Sequence, residues 1–445
     1  MIRNHSTKRL AQRIRTLSLL TLVSFSLLIN YSSTPQASAR FRSATTHVTE
    51  WRQDLQYLAT ELPRRHINVF HQMTPAQFQS AVNALDADIP SLPDHVIAVR
   101  LAQIVAMVGD AHTTMYLASG LYPIRRYPLT TRVFKEAGYV TDVTSATRET
   151  NRGKASYARA LGMRVVRIGD FDISKAGMLV ASVISAENEA WIKAMIPPYL
   201  TSPEVLNALG ILPDMEHGRF TFADANGRQF EMEFSPVAFT APINTFPAPY
   251  LARAPIPLYR SRPATLYYWY EYLPEKKTIY FQYNRCRDMA SQSFASFSQE
   301  MMAFIDAHAV ERVIVDLRQN GGGSSSVLLP FINAIKARPN LNQRGRLFVA
   351  IDNGTFSSGM LNAVNLQQMT QAILVGEPTG GKPNSYGEVQ SMTLPNSRLL
   401  VSYSVKFFQN VLGDPPSVLP DLLVELSIED YLAGRDPVLQ AILTF

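Results

Sequence analysis

From about residue 264 to its end the chain alternates between β-like and helical runs, and this alternation constrains the fold more than any other feature. Thr278-Ile279-Tyr280-Phe281 reads as a strand and Phe294 to His308 as an amphipathic helix. Arg312 to Leu317 reads as a strand, Val327 to Ala337 as a helix, and Leu347 to Ile351 as a strand. Ser357 to Met369 reads as a helix and Ala372 to Val375 as a strand. Strands separated by helices of this length favour parallel pairing, because each crossover returns the chain to the same end of the sheet. The spacing therefore predicts an α/β core over 264–445.

The earlier segments differ in character. Over 40–118, Val48, Leu55, Leu58 and Leu62 fall at near-helical intervals, as do Phe78, Val82 and Leu85, and then Ile97, Leu101, Ile104 and Val105. Prolines 63, 75, 90 and 93 mark breaks between the helices. Residues 119–240 read as a β-rich insert, with short runs at 139–143, 163–168 and 220–222 and turn signals at Gly169-Asp170 and Asn226-Gly227. A helical stretch, Ile173 to Ile184, lies among them. The proline-rich stretch 241–263 reads as a connector.

Residues 1–39 read as a signal peptide. Arg3, Lys8, Arg9, Arg13 and Arg15 precede the apolar run Leu17 to Ile29, and Ala37-Ser38-Ala39 offers the small-residue exit. The apolar run is shorter than the roughly 20 residues of a membrane span. Cleavage after Ala39 and export, to a periplasm or the extracellular space, are expected. Removing these five basic residues, with no acidic residue beside them, takes the formal charge from +6 to +1. That balance gives no case for nucleic acid. Cys286 is the only cysteine, which excludes an internal disulfide and a lipid anchor on a leader cysteine. No stable membrane anchor is expected once the leader is gone.

Three motifs carry chemistry. Asp316-Leu317-Arg318-Gln319-Asn320-Gly321-Gly322-Gly323 links a strand to a helix, and its glycines let backbone N–H groups face a ligand. Such a turn can hold a phosphate or an oxyanion, but no Lys-Ser/Thr pair follows, so it is not a P-loop. Thr355-Phe356-Ser357-Ser358-Gly359-Met360 puts Ser357 at a helix start, where serine is either an exposed nucleophile or a simple N-cap. Gly376-Glu377-Pro378-Thr379-Gly380-Gly381-Lys382 ends in a lysine 25 residues after Ser357. A desolvated lysine can act as base to a serine, while a solvated one is ordinary surface. His66 and His71 do not share a helix face and no H-E-x-x-H occurs, so neither a metal nor another cofactor is expected.

In order and spacing these motifs resemble those of the tail-specific (C-terminal-processing) serine peptidases. The likeness covers about 264–440 and includes the closing Pro420-Asp421 before a β-run. It implies a crotonase-like α/β peptidase core with Ser357 as nucleophile and Lys382 as base. Val108-Gly109-Asp110-Ala111-His112-Thr113 is similar to an Asp-x-His-Thr segment of the same family. In its tricorn-type branch the matching histidine is the base, and an acidic residue near the place of Asp414 is used with it. His112 with Asp414 is therefore a second base assignment, and a structural histidine is the plain alternative. The Ser-to-Lys interval favours Lys382, but the family's Glu three residues after the serine is Met360 here. Leu161 to Ile168 with Asp170 is similar to a PDZ strand and turn, without a clear Gly-Leu-Gly-Phe loop.

The resemblance implies a serine endopeptidase acting on peptides or proteins, with the N–H groups of Gly322 or Gly323 and of Ser358 holding the oxyanion. The other function open to this fold is a non-catalytic protein that binds a ligand or peptide. Met360 and the weak PDZ signal favour that alternative, and the retained Ser, Lys and glycine run favours the enzyme.

Overall fold

The computed structural model describes residues 44–122, 124–143, 157–240, 254–263 and 265–445. The expected leader and connector residues 241–253 lie outside the described residues. Five strands of the C-terminal core run side by side as Tyr268–Leu273, Thr278–Tyr283, Arg312–Asp316, Leu347–Ile351 and Ile373–Gly376, and the short Leu422–Leu423 closes the edge. The first two pair antiparallel, and every later neighbour pairs in parallel. The helices Phe294–Ala307, Leu329–Lys336 and Ser358–Met369 make the crossovers.

The sheet is covered on both faces, and its strands read accordingly as mainly apolar runs. Every residue of Thr278–Tyr283 and of Leu347–Ile351 is buried. One face packs under the crossover helices through Phe281, Val315, Val349 and Leu374. The other, with Tyr280, Ile314, Phe348 and Ala350, packs under the last helix, Pro437–Thr444. Arg318 locks that helix in place. Its buried guanidinium bridges Asp316, at a strand end, and Asp436, which caps the helix.

The N-terminal helices are Ala44–Arg65, Pro75–Asp88 and Asp94–Ala106, the second opened by a reciprocal Thr74–Gln77 capping box. In the insert, Leu129–Val133, Gly138–Val143, Arg164–Ile168, Gly218–Ala223 and Gln229–Phe234 form an antiparallel sheet. It also carries the helices Ile173–Ala181, Glu189–Tyr199 and Pro203–Ala208. The last two have no clear sequence signal. One ends in Pro197 and Pro198, which argue for a break, and the other is too short for a periodic pattern.

A long hairpin, Ser385–Thr393 with Leu400–Phe408, leaves the C-terminal core and takes Met115–Tyr116 as a third strand. Met392, Val401 and Tyr403 from this hairpin share one core with Trp51, Leu58, Val105, Ile168 and Phe220. The segments 40–118 and 119–240, separate in composition, are thus packed together, and a strand pair from the last segment is embedded in them.

Candidate active site

Ser357 stands between the buried strand Leu347–Ile351 and the helix Ser358–Met369 with φ +50° and ψ −128°. A non-glycine residue at such an angle is strained, and strain of this kind collects at functional sites. The strand-to-helix serine of α/β hydrolases sits on a comparably strained turn. Although Ser357 is the N-cap, its side chain makes no cap hydrogen bond. Ser357 is half-buried, and its hydroxyl is not spent on holding the helix.

The glycine run lies directly against it. A Cβ at Gly322, whose φ is +104°, would sit 2.8 Å from Ser357 Cβ and 3.1 Å from Ser357 Oγ. A Cβ at Gly323, φ +136°, would strike Cys286 O at 2.3 Å. Only glycine lets this loop approach both the serine and the neighbouring chain. The Gly322 N–H is already given to Asn320 Oδ1 at 2.9 Å, which shapes the turn. Those of Gly323 and Ser358 make no hydrogen bond among the described residues. Ser358 Oγ donates to Gly323 O at 2.9 Å and ties the helix start to the loop.

His112 reaches the same place from the other end of the chain. Its ring packs on Phe356, the residue before Ser357, with centroids 4.6 Å apart. Trp191 also stacks on Phe356, with centroids 3.9 Å apart. The inserted hairpin brings His112 here: Ser402 Oγ donates to His112 O at 2.7 Å, and Ser404 Oγ donates to Asp110 Oδ2 at 2.6 Å. The buried Asp110 also accepts the His112 backbone N–H and the Thr113 hydroxyl. His66 Nδ1 accepts the Asn68 N–H, so its Nε2 carries the proton that faces Asp110 at 3.1 Å. The His112 Nδ1 lies 3.8 Å from Asp110 Oδ1, beyond a hydrogen bond but facing the carboxylate.

Burial alone would push the Asp110 carboxyl up, but His112, His66 and Ser404 outweigh it and hold the carboxyl well below the usual range. A folded-state pKa below the unfolded one stabilises the fold above the unfolded value, about 3.9, and this stabilisation is lost as pH falls through the folded pKa. Asp110→Asn is expected to cost about 3 kcal/mol at pH 7, because an amide nitrogen then meets converging donors. The gap between variant and wild type should narrow at pH 3, as urea unfolding at both pH values would reveal. An equal gap at both would mean that the charge of Asp110 is not what stabilises.

Lys382 follows Gly381, where a Cβ would lie 3.2 Å from Ser357 N, so it too borders the serine. Its Nζ is engaged by Asp414 Oδ2 at 2.8 Å. Asp414 thus faces Lys382, and the carboxylate beside His112 is Asp110. Met360 is 1 % exposed and belongs to the core under the sheet, where its side chain fills apolar space. The closing Asp421 accepts the Leu374 N–H at 2.8 Å and seats the edge strand. Among the described residues no group of His, Cys, Asp and Glu could hold a metal ion.

Some contributors carried little or no sequence signal. Asp110 stood in the Asp-x-His-Thr segment, two residues from His112, and that spacing could have identified it as the partner. Trp191 and Asn188 could not have been found so. Asn188 donates to Gly380 O at 3.0 Å and to Pro416 O at 2.7 Å, clamping the loops around Lys382 from within the insert.

No family model matches the sequence. The structure is similar to that of mature CPAF, with a TM-score of 0.60 and 12% identity over 89% of this chain and 96% of that one. Mature CPAF complexed with lactacystin matches with a TM-score of 0.59 and 12% identity, covering 89% of this chain and 98% of that one. The photosystem II D1 C-terminal processing protease aligns more loosely, with a TM-score of 0.37 and 12% identity over 87% of this chain and 98% of that one. The chain thus has the fold of mature CPAF: an α/β core with an N-terminal helical region and a β-rich insert.

Proposed function

We propose that this chain is an exported serine endopeptidase of the tail-specific type, with Ser357 as nucleophile and His112 as general base. Ser357 Oγ attacks the substrate carbonyl carbon while His112 takes the hydroxyl proton. The carbonyl oxygen becomes an oxyanion held by the N–H groups of Gly323 and Ser358. The C–N bond then breaks, the imidazolium returns the proton to the leaving amine, and water hydrolyses the acyl-enzyme by the same steps. Asp110 orients the imidazole and stabilises its charged form.

The observation that carries this reading is Ser357 itself: a strained, uncapped serine facing a glycine loop. His112 is preferred to Lys382 because of their partners. A lysine that holds a carboxylate does so as ammonium, whereas a base must be the neutral amine. The alternative of a non-catalytic binding protein rests on Met360 and the weak PDZ signal, and Met360 packs into the apolar core under the sheet. The leader-like residues 1–39 support export, and no helix among the described residues is long and apolar enough to cross a membrane.

Exposure of the mature protein to a fluorophosphonate should label one serine, and peptide mapping should find the label on Ser357. An unlabelled, folded protein would favour the binding-protein alternative.

A further inference from the structure

A cavity of about 530 Å3 opens between the segment that carries His112 and the one that carries Lys382. Gly109, Lys382 and Asp414 border it, and Glu187 lines it from the insert. The rings of His71, Tyr386 and Phe407 line the wall. Tyr386 lies 4.4 Å from His71 and 4.9 Å from Phe407, centroid to centroid, so the rings form a continuous aromatic surface.

The charges around this space are unequally served. Asp110 has its set of donors, and Asp414 has Lys382. Glu187 has no hydrogen bond or ion pair among the described residues, and its Oε2 is buried without a partner. Burial, with Asp110 and Asp414 nearby, pushes the Glu187 carboxyl well above the usual range, and Lys382 opposes this only in part. Ionising this carboxyl while its Oε2 is buried without a partner is costly, and a ligand that brings a cation offsets that cost. Aromatic walls suit the same ligand, since they cover a methylene stem and attract a cationic head.

We propose that this cavity is a substrate subsite for a lysine or arginine side chain, with Glu187 as the residue that selects it. The proposal rests on the peptidase reading above. Basic selectivity through a buried carboxylate in a side-chain pocket is an established device of serine peptidases. Here the acid is contributed by the insert, outside the motifs that carry the catalytic groups.

The test is a set of peptides in which each position flanking the cleaved bond carries in turn lysine, arginine, norleucine or glutamate. The mature protein should prefer lysine or arginine over norleucine at one position by about tenfold or more in kcat/KM, mostly through KM. In Glu187→Gln that ratio should collapse to near one, and Glu187→Lys should favour glutamate there. Cleavage without any basic preference, or a preference untouched by Glu187→Gln, overturns the subsite and leaves the peptidase intact. Absence of both cleavage and fluorophosphonate labelling overturns the peptidase reading and the subsite with it. If the variants do not fold, the wild type still decides. Butylguanidinium should slow fluorophosphonate labelling of Ser357 and n-butanol should not, and equal effects would overturn the proposal.

Discussion

Ser357→Ala is expected to abolish hydrolysis and fluorophosphonate labelling, with kcat falling by at least about 10⁴. The fold should survive. Ser357 makes no cap hydrogen bond, so the loss of about 0.5–2 kcal/mol usual for a capping serine does not apply. Thermal unfolding should therefore find the variant close to wild type. Ser358→Ala is the internal comparison. Its backbone N–H remains, but the bond from its hydroxyl to Gly323 O is lost, so the oxyanion loop loosens. A fall of about tenfold is expected, the scale of one modest hydrogen bond. Equal losses in the two variants, or activity retained in Ser357→Ala, would sink the nucleophile assignment.

His112→Ala should reduce turnover by about 10³ or more, because both proton transfers lose their carrier. The wild-type pH–rate profile should show an acid limb where imidazoles titrate, at about 6–7, and the limb should vanish in the variant. Lys382→Ala should be far milder. Asp414 loses its cation, but its side chain is 67 % exposed and water takes the place of the lysine. If Lys382→Ala removes activity while His112→Ala is silent, the base is Lys382. The profile should then rise toward alkaline pH, since a lysine base must be neutral. Both variants need assay across pH on one peptide substrate.

Much of the C-terminal core was legible in the chain. Strands buried on both faces are largely apolar, so runs such as Leu347 to Ile351 announce themselves and lie where expected. The same holds for the strand-to-helix turns, because Gly322 and Gly323 are dictated by a backbone approach that no Cβ permits. The helices over 44–106 followed from their spacing. The Glu189–Tyr199 helix did not, because its prolines argue against a helix, while its Asn188 cap and the packing of Trp191 on Phe356 appear only in the fold.

The α/β alternation, the glycine loop and a serine at a helix start can be read from the chain alone, since each is a local requirement written in consecutive residues. Which charged groups face one another depends on how distant segments pack. His112, with Asp110 behind it, packs on Phe356 beside Ser357 because the hairpin Ser385–Phe408, beyond the serine in the chain, folds back among the N-terminal helices. The Lys382–Asp414 pair and Glu187, its Oε2 without a partner, likewise come together around one cavity from segments apart in the chain. Hydrophobic burial is non-directional and sets no such pairing in advance, so the chain pattern could name these residues without saying which of them would touch.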